Sequence, residues 1–126
     1  MKKISYLLIL TSMLSSTAWA ACRPPDSPRK FPDGKTATKE QMQNAQKVFA
    51  DFDKKIESYR ACLKDDHDAV LKKNSKGDDA LREELFKGYK EKDDRAMNEA
   101  EKAKNDLNQE IQAYNVASRA RKAAGN

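Results

Sequence analysis

Histidine, cysteine, glycine and proline are all scarce in this chain of 126 residues, and each scarcity removes a class of chemistry. The only histidine, His67, lies in the run Lys64-Asp65-Asp66-His67-Asp68. A zinc site needs three or four converging ligands, with His or Cys among them. Neighbouring residues on a helix point about 100° apart, so Asp66, His67 and Asp68 cannot all face one ion. Weak metal binding at His67 is therefore a remote reading, and no metal or other cofactor is expected. The two cysteines, Cys22 and Cys62, do not form the Cys-x-x-Cys pattern of a redox dithiol. The four glycines are dispersed and build no phosphate-binding loop. No Ser/His/Asp framework is present, and the many carboxylates read as solvated helix faces. Enzymatic activity is not expected.

Long apolar runs are missing too, with one exception at the start. Lys2 and Lys3 precede the mostly apolar stretch 4–14, and Ala18-Trp19-Ala20 follows as a small-x-small cleavage signature. Residues 1–20 are read as a signal peptide cut after Ala20. The run is too short for a permanent transmembrane helix, and no second one occurs, so no stable membrane insertion is expected. A cut directly before Cys22 would instead create a lipid anchor. Trp19 stands where such sites usually carry Leu, and lipidation would need Cys22 to be unpaired. Loss of 20 residues leaves 106 and takes Lys2 and Lys3 away, so the formal net charge falls from +5 to +3. That mild excess suits weak attraction to acidic surfaces and argues against nucleic acid.

An even cysteine count in an oxidising compartment suggests a disulfide. Cys62 lies about 36 Å along a helix that begins near Thr38. The intervening 16 residues can stretch to about 50 Å, so the N-terminal segment can fold back and reach it. Cys22–Cys62 is accordingly read as a staple, with an intermolecular bridge as the alternative.

All four prolines (Pro24, Pro25, Pro28 and Pro32) fall in residues 21–37, followed by the turn signal Asp33-Gly34. This segment reads as an extended arm. Thr38-Lys39-Glu40-Gln41 fits a capping box. Met42, Ala45, Phe49, Phe52, Ile56, Tyr59 and Leu63 then alternate at spacings of three and four. The pattern predicts a helix over 38–73, a turn over 74–78 and a second helix over 79–118, with 119–126 as a basic flexible tail. The short turn makes the helices antiparallel neighbours, an all-α hairpin resembling a coiled coil. Its centre near Lys76 sets the register. Ala45 then faces Leu107, Phe49 faces Ala103, Phe52 faces Ala100 and Ile56 faces Ala96. Tyr59 falls opposite Asp93 and is expected at an edge. Large residues meet small ones, as close packing requires.

Leu, Ile, Val and Phe together number only 14 of the 106 residues after Ala20, few enough to leave an isolated hairpin marginal. The stripe Phe49, Phe52, Ile56, Tyr59 and Leu63 is therefore expected to stay half exposed and to serve as a partner-binding seam. The first functional reading is a periplasmic hairpin that binds a protein partner or an unfolded client. The second is a self-assembling structural or spacer protein of the envelope, a dimer or larger.

Cys22, the proline-rich arm, the segment Pro32-Asp33-Gly34-Lys35-Thr36-Ala37-Thr38 and the segment Tyr59-Arg60-Ala61-Cys62-Leu63 resemble a set of small exported helical proteins of Gram-negative bacteria. The resemblance covers residues 22–72. It implies a periplasmic setting and brings no activity with it. In architecture alone, the long basic hairpin is similar to trimeric, tentacled periplasmic holdase chaperones.

The export reading has a direct check. Expressed whole in a Gram-negative host, the chain should be recovered from the periplasm with Ala21 as its first residue. N-terminal sequencing that begins at Met1, or a lipid mass on Cys22, would contradict it.

Overall fold

A computed structural model describes residues 22–125; the proposed signal peptide lies outside the described residues. Two helices account for the described architecture, α1 (Lys39–Lys73) and α2 (Asp79–Ala124), packed side by side as an antiparallel hairpin. The fold is all-α. An irregular extended arm precedes α1.

Each boundary has a local cause. Thr38 accepts a hydrogen bond from the Gln41 amide, and the Gln41 side chain accepts one from the Thr38 amide, completing the capping box. These bonds satisfy amides that lack helical partners. At the other end of α1, both the backbone and side-chain amides of Asn74 donate to the Val70 carbonyl. Asp78 caps α2 by accepting from the Leu81 amide at 2.9 Å.

The second helix runs six residues beyond the expected end at Ser118, so residues 119–124 of the expected tail belong to the helix. Ala120, Ala123 and Ala124 favour helix, Arg119, Arg121 and Lys122 suit its C-terminal dipole, and no breaker occurs before Gly125. Arg121 also donates to the Lys35 carbonyl at 3.0 Å and lies over the Tyr114 ring. The arm thus braces the extra turns of α2.

The arm is a third layer, and it changes the fate of the apolar seam. Cys22 is disulfide-bonded to Cys62, with Cα atoms 5.8 Å apart. From there the arm runs back along the helices to Thr38. Phe31 is 7 % exposed and belongs to one cluster with Ala45, Phe52, Ile56, Ala96, Ala103 and Leu107. Phe52, Ile56 and Leu63, expected to be half exposed, are only 3 %, 5 % and 5 % exposed. Phe49 and Tyr59 are partly buried against the same cluster. The expected binding seam is therefore the protein's own core. The reason is physical: a segment without regular structure still carries one large aromatic, and that ring fills the furrow that two helices leave between them.

At residues 33–37 the arm turns into α1. The Ala37 and Thr36 amides donate to the Asp33 carbonyl, and the Lys35 amide donates to the Asp33 carboxylate. Here the arm touches the backbone of α2. The Gly34 amide donates to Glu110 Oε2 at 2.7 Å, and a Cβ on Gly34 would overlap the Glu110 carbonyl oxygen. Glycine is needed for this approach, not for a left-handed conformation, since no glycine has positive φ among the described residues.

If the arm is core and not merely a clasp, Phe31→Ala should destabilise the oxidised protein by about 3 kcal/mol in urea unfolding. Phe86→Ala, at a residue 53 % exposed, should cost less than about 1 kcal/mol. Equal effects of the two changes would refute the three-layer description.

Candidate functional site

The arm covers only part of the furrow between the helices. Its first described residue is Cys22, held at Cys62, and α1 continues eleven residues further to Lys73. Cys62, Asp66 and Val70 lie four residues apart, so they share one face of α1. The furrow over which the arm lies thus continues past the disulfide to the turn, where none of the described residues forms a third layer over it. α1 lines this open part with Leu63, Asp66, His67 and Val70; α2 lines it with Leu81, Glu84, Leu85, Gly88, Tyr89 and Lys92. The cavity measures about 390 Å³. Apart from buried Leu63, its apolar side chains Val70, Leu81, Leu85 and Tyr89 are only partly buried. Of the residues expected to form the seam, Leu63 alone reaches it.

His67 is an aromatic neighbour here. Its ring stacks on Tyr89 at 4.8 Å, and Phe86 lies 6.2 Å from it at a tilt. Such contacts favour burial of ring faces while leaving polar edges free. Asp68 turns away and pairs with Lys64 at 2.6 Å. Among the described residues, no three His, Cys, Asp or Glu side chains converge as a metal would require.

An ion pair marks the border between the covered and open parts. Arg60 grips Asp93 with two hydrogen bonds, of 2.6 and 3.1 Å. The sequence register brought Tyr59 opposite Asp93; Arg60, one residue on, meets it instead. Tyr59 packs against the core cluster. The hydrogen bonds from Arg60 hold the Asp93 carboxyl below the usual carboxylate range, against the opposing effect of its partial burial.

A second concavity lies at the opposite end, between Thr36, Ala37 and Thr38 of the arm, Lys39 at the start of α1, and Tyr114, Ser118, Arg121 and Lys122 of α2. Its groups are engaged in structure: Thr38 caps α1 and Arg121 holds the Lys35 carbonyl. Among the described residues, no helix is long and apolar enough to cross a membrane.

Comparison with protein-family models, with curated proteins and with solved structures finds no match to this chain.

Three features of this region were not legible in the sequence. Phe86 falls off the helical stripe. Arg60 gives no sign of its partner 33 residues away. Gly88 reads only as a weak point in α2. The open furrow could have been anticipated from the point at which Cys22 is pinned, since Cys62 lies eleven residues short of the end of α1.

Asp93 makes stability depend on pH. Its depressed pKa contributes stability above the unfolded value near 3.8, and this is lost as pH falls through the lower, folded value. Between pH 6 and pH 2 the wild-type melting temperature should therefore drop further than that of Asp93→Asn. Parallel curves for the two proteins would show that the pair does not contribute.

Proposed function

We propose that the chain is an exported, disulfide-clasped helical hairpin that binds a protein partner through the open furrow at its turn end. The partner is a folded envelope protein or an unfolded client. One observation carries this reading: among the described residues, a single furrow is filled by the arm over one part and left open, with partly exposed Leu and Tyr side chains, over the other. A Tyr among leucines in a concave setting with charged rims suits a protein interface. Export is supported by the lysine-led apolar run that ends at Ala18-Trp19-Ala20. The disulfide supports an oxidising compartment. The binding region differs from the seam first expected, because Phe52 and Ile56 are used internally and only Leu63 lines the open furrow.

A photo-crosslinking amino acid in place of Glu84, at the open furrow, tests the reading in living cells. It should yield a protein adduct, and Leu81→Ser with Leu85→Ser should abolish that adduct. The same group in place of exposed Glu101 should yield none. No adduct from position 84, or equal adducts from both positions, would refute the proposal.

A further inference from the structure

We infer that the occupant of the open furrow is a second copy of this chain, docked antiparallel across a two-fold axis that passes by Gly88. The inference rests on the binding reading above and identifies its partner.

Gly88 has no explanation within one molecule. It sits inside α2 and has no positive φ. Glycine in a helix interior costs about 1 kcal/mol relative to alanine. A Cβ built there would meet nothing within 4 Å, so no internal contact demands its absence. Gly34 offers the contrast, because there an added Cβ would collide with α2. What Gly88 provides faces outward: a point on the open furrow where another helix can approach closely. Interaxial distance depends on the side chains at the contact, and glycine is the smallest.

The charges around Gly88 indicate which helix approaches. Glu84 and Lys92 stand one turn before and one turn after it, on the same face, and both line the furrow. They are about 12 Å apart along the axis, too far to pair with each other. Among the described residues, neither forms an ion pair. An antiparallel copy of α2 centred on Gly88 brings each Glu84 against Lys92 of the other copy, twice. A parallel copy would bring like charges together. Isologous contacts across a two-fold axis require this self-complementarity.

The arm leaves room for such a contact. In the hairpin register, Gly88 lies level with Lys64, just past the end of the arm at Cys62. Phe31 of the arm shares the buried cluster with Ala96, Ala103 and Leu107, and residues 28–31 border Asp106, Gln109 and Glu110. On the same helix face beyond Gly88, Lys92, Arg95 and Glu99 are exposed and can receive the turn end of the second copy. There the aliphatic stem of Arg95 can cover Leu81.

Light scattering on the oxidised protein without residues 1–20 tests the inference, with helicity checked for every variant. A dimer is expected. Gly88→Leu should weaken dimerisation by about tenfold or more while raising the melting temperature of the dilute monomer. Glu84→Lys and Lys92→Glu should each weaken it by about tenfold, and the two together should restore it to within about threefold of wild type. Gly88→Cys should form a covalent dimer through residue 88 under mild oxidation, and Glu101→Cys should not. A monomer at every concentration would overturn the inference, as would a dimer indifferent to Gly88→Leu or a double variant no better than either single one. The failures are separable. A monomer that still crosslinks from position 84 to another protein keeps the binding reading and loses this one. A monomer without adducts loses both.

Discussion

The bond between Cys22 and Cys62 ties a segment with no regular structure to the middle of a long helix. Without that tie, Phe31 would have to find its place from a free arm, and ordering the arm's backbone would oppose it. Closing a loop of about 40 residues removes roughly 4 kcal/mol of unfolded-state freedom in the chain-entropy model. The clasp fixes one end of the arm at Cys62, and the capping box at Thr38 fixes the other. Between these anchors the chain crosses from α1 to α2. Its aromatic ring enters the core, and Gly34 lies against the Glu110 backbone. Two helices with few large side chains thereby acquire a third layer without a third helix.

The parts of this fold legible in the sequence were those that local chemistry decides. Spacing of threes and fours identified the buried stripe, Thr38 and Gln41 located the first helix start, and the short turn set the antiparallel pairing. The disulfide followed from reach and from an even cysteine count. What escaped was decided by distant residues. Nothing near Phe31 states that its ring will be buried, since prolines on either side argue only for an extended backbone. The seam looked half exposed because a two-helix account leaves it so. Basic residues predict a tail after Ser118, whereas alanines and the Arg121–Lys35 contact continue the helix. Arg60 and Asp93 meet because of the register, which spacing fixed only to within a residue.

The same arrangement divides the hairpin into unequal parts. Along the arm the furrow is filled, and the side chains beneath it are nearly inaccessible. Past Cys62 the same furrow holds leucines and an aromatic stack with solvent on one side. Among the described residues the cover ends at Cys22, so its boundary coincides with the covalent bond to Cys62. This is why the turn end, and not the apolar stripe as a whole, is the place to look for function.

Stability should fall off toward that end, because fewer side chains are buried there and the helix contains a glycine. In a helix that needed to stand alone, alanine at position 88 would serve better. A partner that binds only the folded hairpin stabilises it by mass action, and the gain is greatest where intramolecular burial is least. The open furrow, the interior glycine and the two charges beside it that form no ion pair among the described residues belong to one stretch of the hairpin. Each is a cost or an omission in the isolated chain, and each becomes a contact once a second helix lies across Gly88.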